Sequence, residues 1–305
     1  MAIIRTPDER FADLPGYPFA PRYIELAGLG GARMHYVDEG AGQVILCLHG
    51  EPSWSYLYRT MIPPLSTVGR VIAPDFLGFG RSDKFTETDD YSFQMHRDAL
   101  VALLDALALR DITLVCQDWG GLIGLRVASE LPERFARLVV MNTGLPTGDG
   151  HMPKAFYAWQ QFALSTPDLP IGLIIRNGLA HGDQMPDAVL AAYDAPFPDA
   201  RYKAGARAFP ALVPTQPDQP GAAEMRRARE VLAGWTKPAL VLFADGDPIT
   251  TGGDAFFREL LPGARDQPEI TIHDAGHFLQ EERGAEIAEH IVAFVRRTSP
   301  PGPLP

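Results

Sequence analysis

Asp118 lies in ITLVCQDWGGLIGLR, between a run that reads as a buried strand and one that reads as a helix. Cys116, Gly120 and Gly121 flank it, and a chain that doubles back from strand to helix needs small neighbours. Such an elbow lifts its central side chain above the sheet at a helix N-terminus, which favours negative charge there. A plain N-cap is the alternative role for an Asp so placed. In LHGEPSWSYLYR, His49, Gly50 and Glu51 follow another buried run, and a turn there presents the Glu51 N–H to a cleft. With the Trp119 N–H it would form an oxyanion hole, although a plain turn accounts for the dipeptide equally well. Asp247 ends the strand-like VLFADGDPI, and His277 comes after the strand-like EITIHDAG. A carboxylate to attack, a histidine to activate water and a second carboxylate to hold the imidazole make a complete nucleophilic hydrolase set. Asp247 is the better partner for His277 Nδ1, with Asp245 as its local competitor and Asp274 read as structural. Asn142, at the end of VVMNTG, is an amide and cannot balance an imidazolium charge.

The framework that carries these groups is read from hydrophobic periodicity. RYIELAG and ARMHYVDEG alternate like hairpin strands, whereas QVILCLHG, RVIAPDF, DITLVCQD and RLVVMNTG are short continuous apolar runs of buried-strand type. MHRDALVALLDALAL and GGLIGLRVASEL carry apolar residues at helical spacing, and strands alternating with helices imply a parallel sheet. From about residue 147 the chain mixes helical patches with frequent Pro and Gly and offers no strand run. A helix around EMRRAREVLAGW, two further strands and an amphipathic EIAEHIVAFVRR complete the pattern. The predicted architecture is an α/β core over 1–146 and 225–298, with a mostly parallel central sheet and helices on both faces. A helical cap over 147–224 interrupts it, and 299–305 is read as a flexible tail.

The 305 residues are 46% hydrophobic and 21% charged, enough to bury a sizeable core. Gly 29 and Pro 28 stay below the share that marks low complexity. A net charge of −11 repels phosphate backbones and anionic lipid, so neither nucleic acid nor membrane is an expected partner. Cys47 and Cys116 sit in apolar runs without metal-ligand spacing. The segment MAIIRTPDERFADL has no apolar stretch of signal or membrane length, and the expectation is a cytoplasmic monomer.

Nucleophile, acid, histidine is the chain order of the α/β-hydrolases, and the predicted fold is the α/β-hydrolase fold. RTPDERF, HGEPSWSYLYR, APDFLGFGRSD, CQDWGGLIGLR, YDAPFPD and DAGHFLQEE resemble segments of one family in it, the haloalkane dehalogenases, in the branch that reads HGEP rather than HGNP. The resemblance runs along most of the chain. It implies Asp118 as nucleophile, His277 as base, Asp247 as its partner and Trp119 as one halide ligand. The HGNP branch uses an Asn at the position of Glu51 as second halide ligand, a role an ionised Glu51 could not fill. The HGEP branch takes a cap tryptophan instead, which points to Trp159, the tryptophan within the insertion; packing with Phe156 and Phe162 is its alternative role. The implied substrate is a small halogenated aliphatic, with no metal and no organic cofactor. Phe76, Phe156, Trp159, Phe162, Val213 and Leu279 are the expected lining of an apolar cavity.

Two other readings use the same residues. An epoxide hydrolase would keep the Asp-His-Asp set and protonate the departing alkoxide from cap tyrosines, for which Tyr157, Tyr193 and Tyr202 are available. A non-catalytic scaffold would bind a small ligand or protein and have no chemical need of Asp118, Asp247 and His277 together.

Overall fold

The computed structural model describes residues 2–299. Ten strands occur among them: β1 (Ile3–Ile4), β2 (Arg22–Leu26), β3 (Ala32–Gly40), β4 (Val44–Leu48), β5 (Arg70–Pro74), β6 (Lys84–Phe85), β7 (Ile112–Gln117), β8 (Phe135–Met141), β9 (Ala239–Ala244) and β10 (Ile270–Ile272). Eight form one sheet in the order β10-β9-β8-β7-β4-β5-β3-β2, while β1 and β6 pair separately. Only β3 runs against the rest, pairing antiparallel with β2 and β5. Every residue of β4 and β7 is buried, which is why these strands read as unbroken apolar runs.

Ten α-helices accompany the sheet: α1 (Ile62–Leu65), α2 (Phe93–Ala106), α3 (Trp119–Glu130), α4 (Lys154–Ser165), α5 (Ile171–Asn177), α6 (Asp187–Asp194), α7 (Ala204–Leu212), α8 (Ala222–Leu232), α9 (Gly253–Leu260) and α10 (Leu279–Thr298). Ser92 caps α2 by accepting from the Met95 N–H at 3.1 Å. Helix α3 packs against β4, β7, α2 and α8, and α10 packs against α1 and β9. Between β8 and β9 the chain is helical, with α4 to α8 and no strand among the described residues. Helix α9 has no counterpart in the periodicity reading. Of the expected tail, Ser299 is held by Arg137, and 300–305 lie outside the described residues.

The parallel strands place their carboxyl ends on one side of the sheet, and the order switches at β4, between β5 and β7. A crevice outside the carboxyl ends at such a switch is where ligands bind in open α/β sheets. The loops after β4, β7, β9 and β10 carry Glu51, Asp118, Asp247 and His277.

Candidate active site

Asp118 joins β7 to α3 with φ 50° and ψ −123°, a left-handed conformation that few non-glycine residues adopt. The close approach explains its neighbours: a Cβ on Gly120 would lie 2.1 Å from the Leu48 carbonyl oxygen, and one on Gly50 would lie 2.4 Å from the Asp118 Cβ. Thr143 Oγ1 donates to the Asp118 carbonyl at 2.6 Å, and the Glu51 N–H donates to Asp118 Oδ1 at 2.8 Å. The elbow expected from the sequence is present, and Asp118 makes no side-chain cap bond to α3.

His277 is buried, with Nδ1 2.9 Å from Asp247 Oδ2 and Nε2 3.6 Å from Asp118 Oδ2. Asp247 is held by the Ile249 N–H at 2.8 Å and by Thr250 Oγ1 at 2.5 Å. Burial alone would raise the Asp247 pKa, but the charge and bond of His277 outweigh it and hold the carboxyl below its usual range. Burial alone would lower the His277 pKa, but Asp247 and Asp118 bring it up to about 10. The competitor Asp245 instead meets His273 Nδ1 at 2.8 Å on the surface, and Asp274 meets Arg283. Asn142 holds the histidine loop rather than the ring, donating from Nδ2 to the carbonyls of Gly276 and His277 at 3.0 and 3.1 Å. His49 is occupied by backbone: its Nε2 accepts from the Phe76 N–H at 3.0 Å.

Glu51 is buried beside Asp118 rather than presented to solvent. Its side chain is 5% exposed, and Oε1 has no hydrogen-bond partner. Burial first and the Asp118 charge second push its pKa well above the usual carboxylate range, while His277 and the Trp159 indole N–H pull weakly the other way. Burial and the Asp118 charge both disfavour the charged form of Glu51, the form that would repel an anion.

These groups border a cavity of about 640 Å³. Glu51, Asp118, Trp119, Trp159 and His277 line it, as do Phe156, Phe162 and Val213. Phe76 and Leu279 do not. Phe76 is fully buried against the rings of His49 and Phe209, and Leu279 is core at the start of α10. Leu122, Ile174, Pro210, Ile249, Phe256 and Phe278 line the cavity although the sequence gives no sign of it. Phe209, equally unannounced, packs against Trp119 with ring centroids 4.5 Å apart and planes tilted by 34°. None of the three cap tyrosines lines it: Tyr157 is 41% exposed, and Tyr193 is buried with its hydroxyl on Glu281 Oε2 at 2.6 Å. An epoxide's alkoxide would therefore find no tyrosine acid at this wall.

The α/β hydrolase fold family model matches residues 43–284, which places the chain in that class of protein. It is 49% identical to a haloalkane dehalogenase of Psychrobacter cryohalolentis over 97% of this chain and 98% of the relative. Haloalkane dehalogenase 1 of Mycobacterium tuberculosis is 50% identical over 98% of this chain and 100% of its own length. The tetrameric haloalkane dehalogenase DpaA from Paraglaciecola agarilytica superposes with a TM-score of 0.89 at 39% identity, covering 95% of this chain and 97% of that one. The chain belongs to the haloalkane dehalogenases, hydrolases that act on carbon–halide bonds. No helix among the described residues is long and apolar enough to cross a membrane.

Proposed function

We propose that the chain hydrolyses small haloalkanes to alcohol and halide in two displacement steps, with Asp118, His277 and Asp247 as its reacting groups. The observation that carries this reading is the line Asp247 Oδ2, His277 and Asp118 Oδ2, with contacts of 2.9 and 3.6 Å, of which His277 and Asp118 lie on the wall of a cavity otherwise mostly apolar. Asp118 attacks the halogen-bearing carbon in line, forming an alkyl ester and releasing halide. The halide leaves without a proton, since hydrogen halides are strong acids, and needs only donors. Indole Nε1–H groups on Trp119 and Trp159 supply them from two walls of the cavity. His277 then takes a proton from the water that attacks the ester carbonyl, and Asp247 orients the ring and balances its charge. The N–H groups of Glu51 and Trp119 hold the tetrahedral oxyanion, each contributing roughly 3–4 kcal/mol.

Residues 147–224 act as the cap that closes an apolar space over the core of 1–146 and 225–298, excluding bulk water. All these groups belong to one chain, so the monomer is the catalytic unit, whatever assembly relatives such as DpaA form. Cys47 and Cys116 are free and buried, which suits a reducing cytoplasm. The test is bromide release from 1,2-dibromoethane and 1-bromobutane, with diol release from an aryl epoxide measured beside it. Bromide that disappears in Asp118→Ala is expected; diol without bromide would overturn the reading.

A further inference from the structure

In the proposed hydrolysis His277 is the base, and a role for any further residue at its ring rests on that reading. Its Nε2 has a neighbour that the two displacement steps do not use. Gln117, the last residue of β7, is fully buried, with Nε2 3.1 Å from the His277 carbonyl oxygen and 3.2 Å from the His277 Nε2. The first contact fixes the amide's orientation, because a carbonyl oxygen only accepts and must face the NH2 group. Asn142 Nδ2 donates to the same oxygen at 3.1 Å, with its own amide oriented by the Ala244 N–H on Oδ1 at 2.9 Å. One Gln117 hydrogen is thus committed to the backbone. The other lies at His277 Nε2, which can receive it only as a lone pair. The ring proton then belongs on Nδ1, against Asp247 Oδ2. Turning the amide over would set Oε1 against the His277 carbonyl oxygen. As it stands, Oε1 is buried without a partner, a cost the orientation carries.

We propose that Gln117 is a positioning residue that holds His277 in the neutral Nδ1–H form with Nε2 unprotonated, the form that serves as base once the ester-cleaving water takes the place of the Gln117 N–H at that lone pair. Three carboxyl groups face the ring: Asp247 from the loop after β9, Asp118 from the elbow and Glu51 from the loop after β4. The Asp247 and Asp118 carboxylates favour the imidazolium, and the Gln117 N–H opposes it, since an imidazolium would set N–H against N–H. Esterification removes the Asp118 charge, and the balance then passes to Asp247 on one side and Gln117 on the other. The water oxygen bonds to the ester carbonyl carbon while its proton moves to Nε2. Collapse breaks the ester C–O bond, the alkoxide takes that proton to become the alcohol, and the acid left on Asp118 releases its own proton to solvent.

Single-turnover kinetics against pH separate the two steps: bromide release reports displacement, and quenched mass spectrometry reports decay of the alkyl-enzyme. Gln117→Leu keeps comparable bulk and removes the N–H. The acid limb of ester decay should move up by about one pH unit, a roughly tenfold slower decay below the limb, with the displacement step unshifted. A lowered rate with an unmoved limb would mean a merely structural role and overturn the proposal. A second measurement needs no change at Gln117: 15N NMR of histidine-labelled Asp118→Ala, which lacks the Asp118 charge as the ester does. Neutral His277 with its proton on Nδ1 at pH 7.5 is expected, and an imidazolium or the Nε2–H tautomer would contradict it. Wild-type protein that releases no halide from any haloalkane would instead sink the function on which the inference rests.

Discussion

Among the described residues two buried histidine–aspartate pairs occur, and their geometry at the pair is nearly the same. His277 Nδ1 meets Asp247 Oδ2 at 2.9 Å, and His35 Nδ1 meets Asp75 Oδ2 at 2.8 Å. Both carboxylates are closed by further donors: Asp247 by Ile249 and Thr250, Asp75 by the N–H groups of Ser55 and Arg81 at 2.8 Å each. The difference lies beyond the pair. His277 turns Nε2 toward a second carboxylate at the wall of a cavity, whereas His35 sits on β3 with its ring against Tyr23 and lines no part of that cavity. A buried pair of this type is a general way to tie a loop to a sheet. A nucleophile at the free ring nitrogen and a dry space above it are what give one of the two pairs chemistry.

The comparison is broken most severely at the nucleophile. Asp118→Ala should lower halide release by at least about 10⁴-fold, as loss of one member of a catalytic set does elsewhere, measured by bromide-selective electrode. His277→Phe should release one halide per chain and stop, with the alkyl mass retained on the peptide holding Asp118. Trp159→Phe removes one donor to the halide and should weaken bromide binding about tenfold or more, the worth of a hydrogen bond to a charged group, read from tryptophan fluorescence quenching.

The other pair predicts the reverse pattern. His35→Leu strands Asp75 buried without its partner and should cost about 3–5 kcal/mol of stability by urea unfolding, with turnover per folded molecule kept within about twofold. Burial alone would raise the Asp75 pKa, but His35, His49 and the Ser55 N–H hold it below the usual carboxylate range. Stability from a depressed carboxylate is present above the unfolded pKa and is lost as pH falls, so the gap between wild type and His35→Leu should narrow in acid. Glu51 has the opposite sign. Its raised pKa means stability that is complete below the unfolded carboxylate range and declines as pH rises toward the folded value. Glu51→Gln should therefore gain on wild type from pH 4 to pH 8, by about 1.4 kcal/mol for each unit of the shift.

Much of this is legible in the chain. The glycines around Asp118 announce the elbow because no Cβ fits there, and Asp247, preferred to Asp245 in the sequence, lies 2.9 Å from His277 Nδ1. Trp159 and Phe156 reach the cavity because their helix lies over it. Phe76 and Leu279 mislead because an apolar residue beside a site can face the core as readily as the cavity. Glu51 reads as a charge until its burial is known. Gln117 stands next to the nucleophile in sequence, yet its partner is 160 residues away and appears only once β7 and the loop after β10 are brought together. Helix α9 is eight residues long and starts after a left-handed Gly252, too short a stretch for periodicity to declare.

The central claim is that Asp118, not water, displaces the halide. Excess wild-type protein given a limiting bromoalkane in 18O-labelled water tests it in one turnover. The account predicts alcohol carrying 16O from the carboxylate, with 18O found in the peptide that contains Asp118. Alcohol carrying 18O, with Asp118 unlabelled, would mean direct attack by water and would contradict it.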